Sequence, residues 1–364
     1  MSTSNSLHGI TLLRGLAATL ILVIHSLLLL GYSHTYSEKF TLTNIGVDIF
    51  FVLSGFIMAF AHWNDFGKGA EGASLFLKKR FLRIYPMYFI LTAFTATIIF
   101  SAPALFHSLE YSNTLLLQSL LFLPSKVGVS TSLILAVAWT LAFEVIFYFL
   151  FSLCLLFRRP TGLKLIVLLL LLWAVAGALF TSEHYIINFF LSTLPLEFTA
   201  GVFICIYFKS KHYRPLYNSQ VGAIFLIITA LTFTLAIPFP VADRLLTDNY
   251  RVIYYGLPAA AIFICFLSFS PKLYFSKIIT TVGNASYSTY LTHFLFLGAL
   301  KFAANRFGLI EGINIYVLIV FSCLFCTLGG IATHRIIEAP ITHFLKRVLL
   351  GKKHKQPIFE PPRV

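Results

Sequence analysis

Arg14 and His25 stand in a stretch that otherwise reads as hydrocarbon, ITLLRGLAATLILVIHSLLLL over residues 10–30. They are eleven residues apart, close to three whole turns, so both project from one helix face with the imidazole about 16 Å along the axis from the guanidinium. Ionisable groups at that depth are rare and face a protein interior or a wet cavity. An imidazole there is a general base or a nucleophile; the plainer alternative is a hydrogen bond to a neighbouring helix. Asp48, near the outer end of the next apolar run, is expected at a matching depth. It is placed to orient the imidazole and stabilise its protonated form, or else to cap its own helix start.

Further polar groups follow. LKKRFLRIYP packs Lys78, Lys79, Arg80 and Arg83 into six residues, with Arg80 and Arg83 one turn apart; such a fork suits phosphates, and equally serves as a topology signal beside lipid headgroups. Glu144 in AWTLAFEVIFYF needs a partner, either in a structural bridge or in a reactive site. Ser286, Tyr290 and His293 form one polar-aromatic stripe that lines a cavity or glues helices together. Ser54-Gly55 is read as a packing pair, because a nucleophilic serine needs a base within reach. Glu338-Ala339-Pro340 is read as the end of the last helix.

These groups must be held by membrane helices. The 364 residues are 58% hydrophobic and 11% charged, which excludes a soluble domain of this length. Apolar windows at 10–30, 44–62, 84–104, 135–157, 163–180, 185–208, 218–237, 252–270, 281–304 and 313–335 predict an all-α polytopic bundle of about ten transmembrane helices. Residues 113–123 are too short to span and predict a re-entrant or interfacial segment. With both termini cytoplasmic, roughly 21 of the 27 Lys and Arg fall in inner segments, so the net charge of +14 is a topology signal and not a nucleic-acid surface. One domain over 8–341 is expected, followed by a basic, proline-rich cytoplasmic tail, 342–364, without stable structure. The five cysteines lie in apolar runs without zinc-site spacing, so no metal is expected. A transporter or flippase of lipid-linked sugars is the rival class; against it stand the lack of internal repeats and of paired broken helices.

Taken together, LRGLAATLILVIHS, GVDIFFVLSGFIM, RFLRIYP, WTLAFEVIFY, SYSTYLTHF and IIEAP, in this order, resemble the acyltransferase-3 family of bacterial integral-membrane acyltransferases. That resemblance implies transfer of an acyl group, usually acetyl from acetyl-CoA as co-substrate, to a sugar hydroxyl of a surface or exported carbohydrate such as exopolysaccharide or lipopolysaccharide. It implies a multi-pass protein of the bacterial inner membrane with no permanently bound cofactor. It further implies His25 as the essential histidine with Asp48 as its partner, and Arg80 and Arg83 as the pair that meets the donor's phosphates. Beside them, Glu144 is expected as a third catalytic residue and Arg14, Lys79 and Tyr85 as further donor-binding ones. Trp139, Tyr290 and His293 are expected to meet the acceptor. The QSLLFLPSK stretch and the compact length look most like the exopolysaccharide-modifying branch.

Overall fold

The computed structural model describes residues 6–29, 41–103, 110–127, 130–213, 222, 228, 251–269, 277–308 and 313–350. Its helices are α1 (Ser6–Leu29), α2 (Ile45–Ala61), α3 (Gly69–Ser101), α4 (Asn113–Leu120), α5 (Trp139–Cys154), α6 (Arg159–Leu179), α7 (Tyr185–Phe190), α8 (Pro195–Phe208), α9 (Leu257–Phe269), α10 (Lys277–Phe307), α11 (Ile315–Thr333) and α12 (Ala339–Leu350). Two three-residue strands, β1 (Ser125–Val127) and β2 (Ser130–Ser132), pair antiparallel. Among the described residues, six helical segments are long and apolar enough to cross a membrane. The Ile45–Ala61 and Val252–Ser268 segments are shorter apolar helices. The expected window at 218–237 lies outside the described residues apart from positions 222 and 228.

Helix contact in an apolar solvent depends on close packing, because burial against lipid-like surface gains little. Small residues mark the crossings. A Cβ on Gly55 would collide with the Phe198 carbonyl, and one on Gly201 with the Val52 carbonyl, so α2 and α8 touch backbone to backbone. Gly283 of α10 meets Thr11 of α1 in the same way. Between these contacts lies an aromatic core in which Phe51 and Phe147 both pack on Phe198, and Phe56 packs on Phe263.

Four expectations are corrected. The α3 helix begins at Gly69, not at residue 84, so the basic LKKRFLR stretch is helical; at about 1.5 Å per residue a 33-residue helix exceeds the bilayer core. The window 185–208 is two helices, interrupted at residues 191–194, where a Cβ on Gly177 of α6 would collide with the Ser192 backbone. The stretch still has the length and apolarity of a span, but it is interrupted within. Residues 342–350, assigned to an unstructured tail, are helical in α12, while 351–364 lie outside the described residues. Arg251, counted as an outer-loop charge, is buried.

The α4 helix has eight residues, too few to span. Its last carbonyls are taken by two tyrosines of α3: the Tyr85 hydroxyl donates to Leu120 O (3.2 Å) and that of Tyr88 to Ser119 O (2.5 Å). Ser119 O also accepts from Phe122 N (3.0 Å), so the tyrosine is its second donor; helix-end carbonyls away from water need such donors. Tyr85 thus caps a neighbouring segment.

Candidate active site

His25 lies four residues from the C-terminal end of α1, and its Nδ1 stands 2.8 Å from His293 Nε2 on α10. The direction of this bond follows from the next one. His293 Nδ1 is 2.6 Å from the Tyr290 carbonyl oxygen, which can only accept, so Nδ1 carries the proton. In the neutral ring His293 Nε2 is then the acceptor, and His25 must donate from Nδ1. Its Nε2 is left as the bare nitrogen, the tautomer a general base or a nucleophile requires.

The His25 side chain lines a cavity of about 250 Å³. Trp139, Phe189 and Phe294 form aromatic walls, Phe294 standing 4.7 Å from the imidazole between ring centres. Thr131, Ser132, Leu133, Ala136 and Val137, on and after the β1–β2 hairpin, close another side. The hairpin is anchored below: Ser119 Oγ accepts from Ile134 N (2.9 Å), and the Tyr290 hydroxyl donates to Val137 O (2.8 Å) with Thr140 Oγ1 at 2.9 Å. An apolar hollow with few converging polar groups is the usual form of a small-molecule site. Trp139 was expected to meet the acceptor and does line the hollow. Tyr290 stands behind the wall and His293 behind the His25 ring.

Asp48 does not reach His25. Its two oxygens accept from Arg251 Nε and Nη2 at 3.0 and 2.9 Å, and both residues are buried. A desolvated carboxylate binds the strongest opposite charge on offer, and a two-point guanidinium clamp outcompetes a neutral imidazole. The π-helical turn Val252–Gly256 follows Arg251, whose guanidinium lies 6.0 Å from the Trp139 ring. The pair therefore sits behind the cavity wall and not in it. Glu197 of α8 is packed against Gly256 beside the Asp48–Arg251 pair.

A second polar system occupies the side where α3, α5 and the α11–α12 junction meet. Glu144 Oε1 accepts from Ser54 Oγ (2.6 Å) and the Tyr148 hydroxyl (2.5 Å). Glu144 is thus not part of the wall around His25. Ser54 is a hydrogen-bond donor here and not only a packing residue. The expected Arg80–Arg83 fork is split. Arg83 Nη1 donates to Glu338 Oε1 (2.7 Å), whereas Arg80 Nη2 faces His62 Nε2 (2.9 Å). Glu338 also accepts from Ser288 Oγ (2.6 Å) and lies 2.8 Å from His334 Nδ1. It closes the π-helical turn His334–Glu338, a local rewinding frequent at functional sites. Arg14 is within electrostatic reach of Arg83, Glu338 and Glu144, and Lys79 is partly buried beside Arg80.

Sequence reasoning missed His62, Arg251 and Glu338 as members of these networks. Arg251 and Glu338 were visible only as a loop charge and a helix stop, since their partners lie some 200 or more positions away. The β1–β2 hairpin carried no signal, being three residues per strand.

With this geometry in hand, a family comparison is decisive. A family model described as an acyltransferase domain matches residues 7–334. The chain belongs to the acyltransferase-3 family. This acyltransferase, a multi-pass membrane protein, is 29% identical over 307 residues to the exopolysaccharide production protein ExoZ of Rhizobium meliloti, covering 84% of the chain and 91% of the relative. It is also 36% identical over 84 residues to protein 2 in the picA locus of Rhizobium radiobacter, covering 23% of the chain and 41% of that protein. No solved structure matches the acyltransferase.

Proposed function

We propose that this acyltransferase moves an acyl group, acetyl in the simplest case, from acyl-CoA to a hydroxyl of an exopolysaccharide or related surface carbohydrate, from a ten-helix bundle in the bacterial inner membrane with both termini cytoplasmic. The observation that carries the reading is the bare Nε2 of His25 on a residue lining a hollow, in a chain whose family performs acyl transfer. The ExoZ relative supports the carbohydrate class.

His25 Nε2 takes the proton of the acceptor hydroxyl as its oxygen bonds to the thioester carbonyl carbon. The tetrahedral adduct collapses with cleavage of the C–S bond, and the departing thiolate regains the proton from the imidazolium. His293 holds the ring throughout, since His25 Nδ1–H donates to it in both protonation states. Trp139 and Phe189 offer flat faces to the acceptor, with Thr131 and Ser132 as hydroxyl partners. The donor reaches the hollow from the side of Arg14, Lys79, Arg80 and Arg83, and its phosphates compete with Glu338 for Arg83.

The test is incubation of membranes carrying the wild-type chain with acetyl-CoA and exopolysaccharide, following free thiol and ester-linked acetyl by NMR. Both are expected with the wild type and neither with His25→Ala. Movement of a lipid-linked sugar without release of coenzyme A would replace this reading with the flippase.

A further inference from the structure

Arg80 is only 7% exposed, on a helix whose other basic residues reach outward. Its guanidinium lies 5.6 Å from the Phe76 ring centre and 5.9 Å from that of Tyr148, and its Nε is buried without a hydrogen-bond partner. A cation held this far from water needs something to fix it: the Tyr148–Glu144 pair acts on it from one side, and on the other stands a ladder running out of the α2–α3 turn. Lys68 Nζ donates to Asp65 Oδ1 (2.5 Å), Asp65 Oδ2 is 2.7 Å from His62 Nδ1, and His62 Nε2 is 2.9 Å from Arg80 Nη2.

Every proton in this ladder is assigned by its neighbours. The Asp65 carboxylate accepts only, so His62 Nδ1 carries the hydrogen; the neutral ring then presents a lone pair at Nε2, and Arg80 donates into it. The opposite tautomer would set two donors face to face. The turn itself is clamped, since Asp65 N donates to His62 O and Gly67, at φ +82°, donates its N–H to Leu155 O at the end of α5. Phe76 meets the imidazole edge-on at 4.8 Å. His62 and Asp65 therefore form a rigid seat, and the guanidinium on it keeps an unfilled N–H. A fixed, desolvated cation with a donor to spare suits an anion.

We propose that His62, backed by Asp65, is a positioning residue of the acyl-donor site, holding Arg80 so that its free Nε–H meets a phosphate oxygen of the donor. This rests on the reading that an acyl-CoA docks at the inner arginines. Arg83, one turn further along and 33% exposed at its side chain, is the phosphate partner nearer water. The division of labour explains why the two arginines of one face have different partners. One is prepositioned and the other is released from Glu338.

The test uses the full chain, purified in nanodiscs, with two readouts. For acetyl-CoA, His62→Ala is expected to raise KM about tenfold with kcat within about twofold, a loss confined to binding. His62→Gln, whose amide oxygen accepts the Arg80 N–H, is expected to recover most of it. Asp65→Ala is expected to fall between, because the tautomer is no longer held. Independently of any turnover, inorganic pyrophosphate is expected to raise the melting temperature of the wild type, and this protection is expected to be lost in Arg80→Ala and His62→Ala. If His62→Ala does not fold, the Gln and Asp65→Ala variants carry the comparison. Protection by pyrophosphate that depends on His62, without turnover of acetyl-CoA, leaves the seat standing and removes the acyl-CoA reading. A wild type that pyrophosphate does not protect, or a folded His62→Ala with unchanged KM and unchanged protection, overturns the proposal.

Discussion

His25 and His293, 268 positions apart in the chain, share a single hydrogen bond of 2.8 Å whose direction is dictated by the Tyr290 carbonyl behind it. A neutral imidazole thus does for His25 what an aspartate does in hydrolytic triads: it fixes the tautomer and accepts from the ring once protonated. It does so with His293, and not a carboxylate, bonded to the His25 ring.

Removing the second histidine should therefore damage chemistry more than binding. His293→Ala is expected to lower kcat by about 10²-fold with little change in either KM, within the usual range for general-base contributions. His293→Gln, which can still accept from His25 Nδ1, should regain part of the loss. Steady-state kinetics on reconstituted protein decides it; a His293→Ala enzyme at wild-type kcat would show that the imidazole pair has no part in turnover.

The Asp48–Arg251 clamp makes a different kind of demand. Losing one member strands the other in the bundle, at a cost of about 3–5 kcal/mol, whereas replacing both with apolar groups is close to neutral. Asp48→Leu alone should yield little folded protein, and Asp48→Leu with Arg251→Leu should recover it, as measured by size exclusion and thermal melting. Were Asp48 the orienting partner of His25, the double variant would fold yet be as inactive as His25→Ala.

Much of this arrangement was legible in the chain, and the reasons for the exceptions are physical. The apolar windows locate α1, α2, α5, α6 and α11 because a helix in lipid must be apolar along its length. The same criterion clips α3 at its basic residues, since a helix projecting beyond the core no longer has to be apolar. It also runs α7 into α8, because Leu-Ser-Thr-Leu at 191–194 is apolar enough to hide a break in the backbone. Arg14, His25, Asp48 and Glu144 stood out as charges in the wrong solvent. Their partners did not: Asp48 was matched to His25 by depth alone, and depth says nothing about which neighbour carries the opposite charge.

The His62 seat also predicts a pH dependence of stability. Burial, and then the charge on Arg80, push the His62 pKa down from 6.5 to about 4, while its bond to Asp65 and the charges of Asp65 and Lys79 act more weakly. The unfolded chain takes up a proton as the pH falls through 6.5, and the folded chain does so only near 4. Stability is therefore fully present above about pH 6.5 and is lost between there and pH 4, by on the order of 3 kcal/mol for this group. Asp65, which burial alone would raise but which its bonds to Lys68 and His62 together bring below the usual carboxylate value, adds a loss of the same sign at lower pH. The melting temperature of the wild type should drop more steeply across this window than that of His62→Gln, and equal slopes would contradict the neutral seat.

Glu338 provides a contrast with Asp48 that separates burial from pairing. Both carboxylates hold an arginine, at 2.7 Å for Arg83 and 2.9 Å for Arg251. The arginines differ, however: the Arg83 side chain is 33% exposed and that of Arg251 only 5%. Freed from its acid, Arg83 can turn towards water, where an unpaired charge costs little, whereas Arg251 cannot. Glu338→Ala should consequently be the milder lesion for folding, despite removing the acceptor of Ser288 and the partner of His334 as well. Its effect on the donor should run the other way. With its competitor gone, Arg83 is available to phosphate, and the affinity for coenzyme A measured by calorimetry should rise about three- to tenfold even as kcat falls through loosening of the contact between α10 and the α11–α12 junction. If Glu338→Ala instead unfolds the chain as completely as Asp48→Leu, the exposure of Arg83 does not protect it. The π-helical turn His334–Glu338 is then a structural keystone and not a donor-side gate.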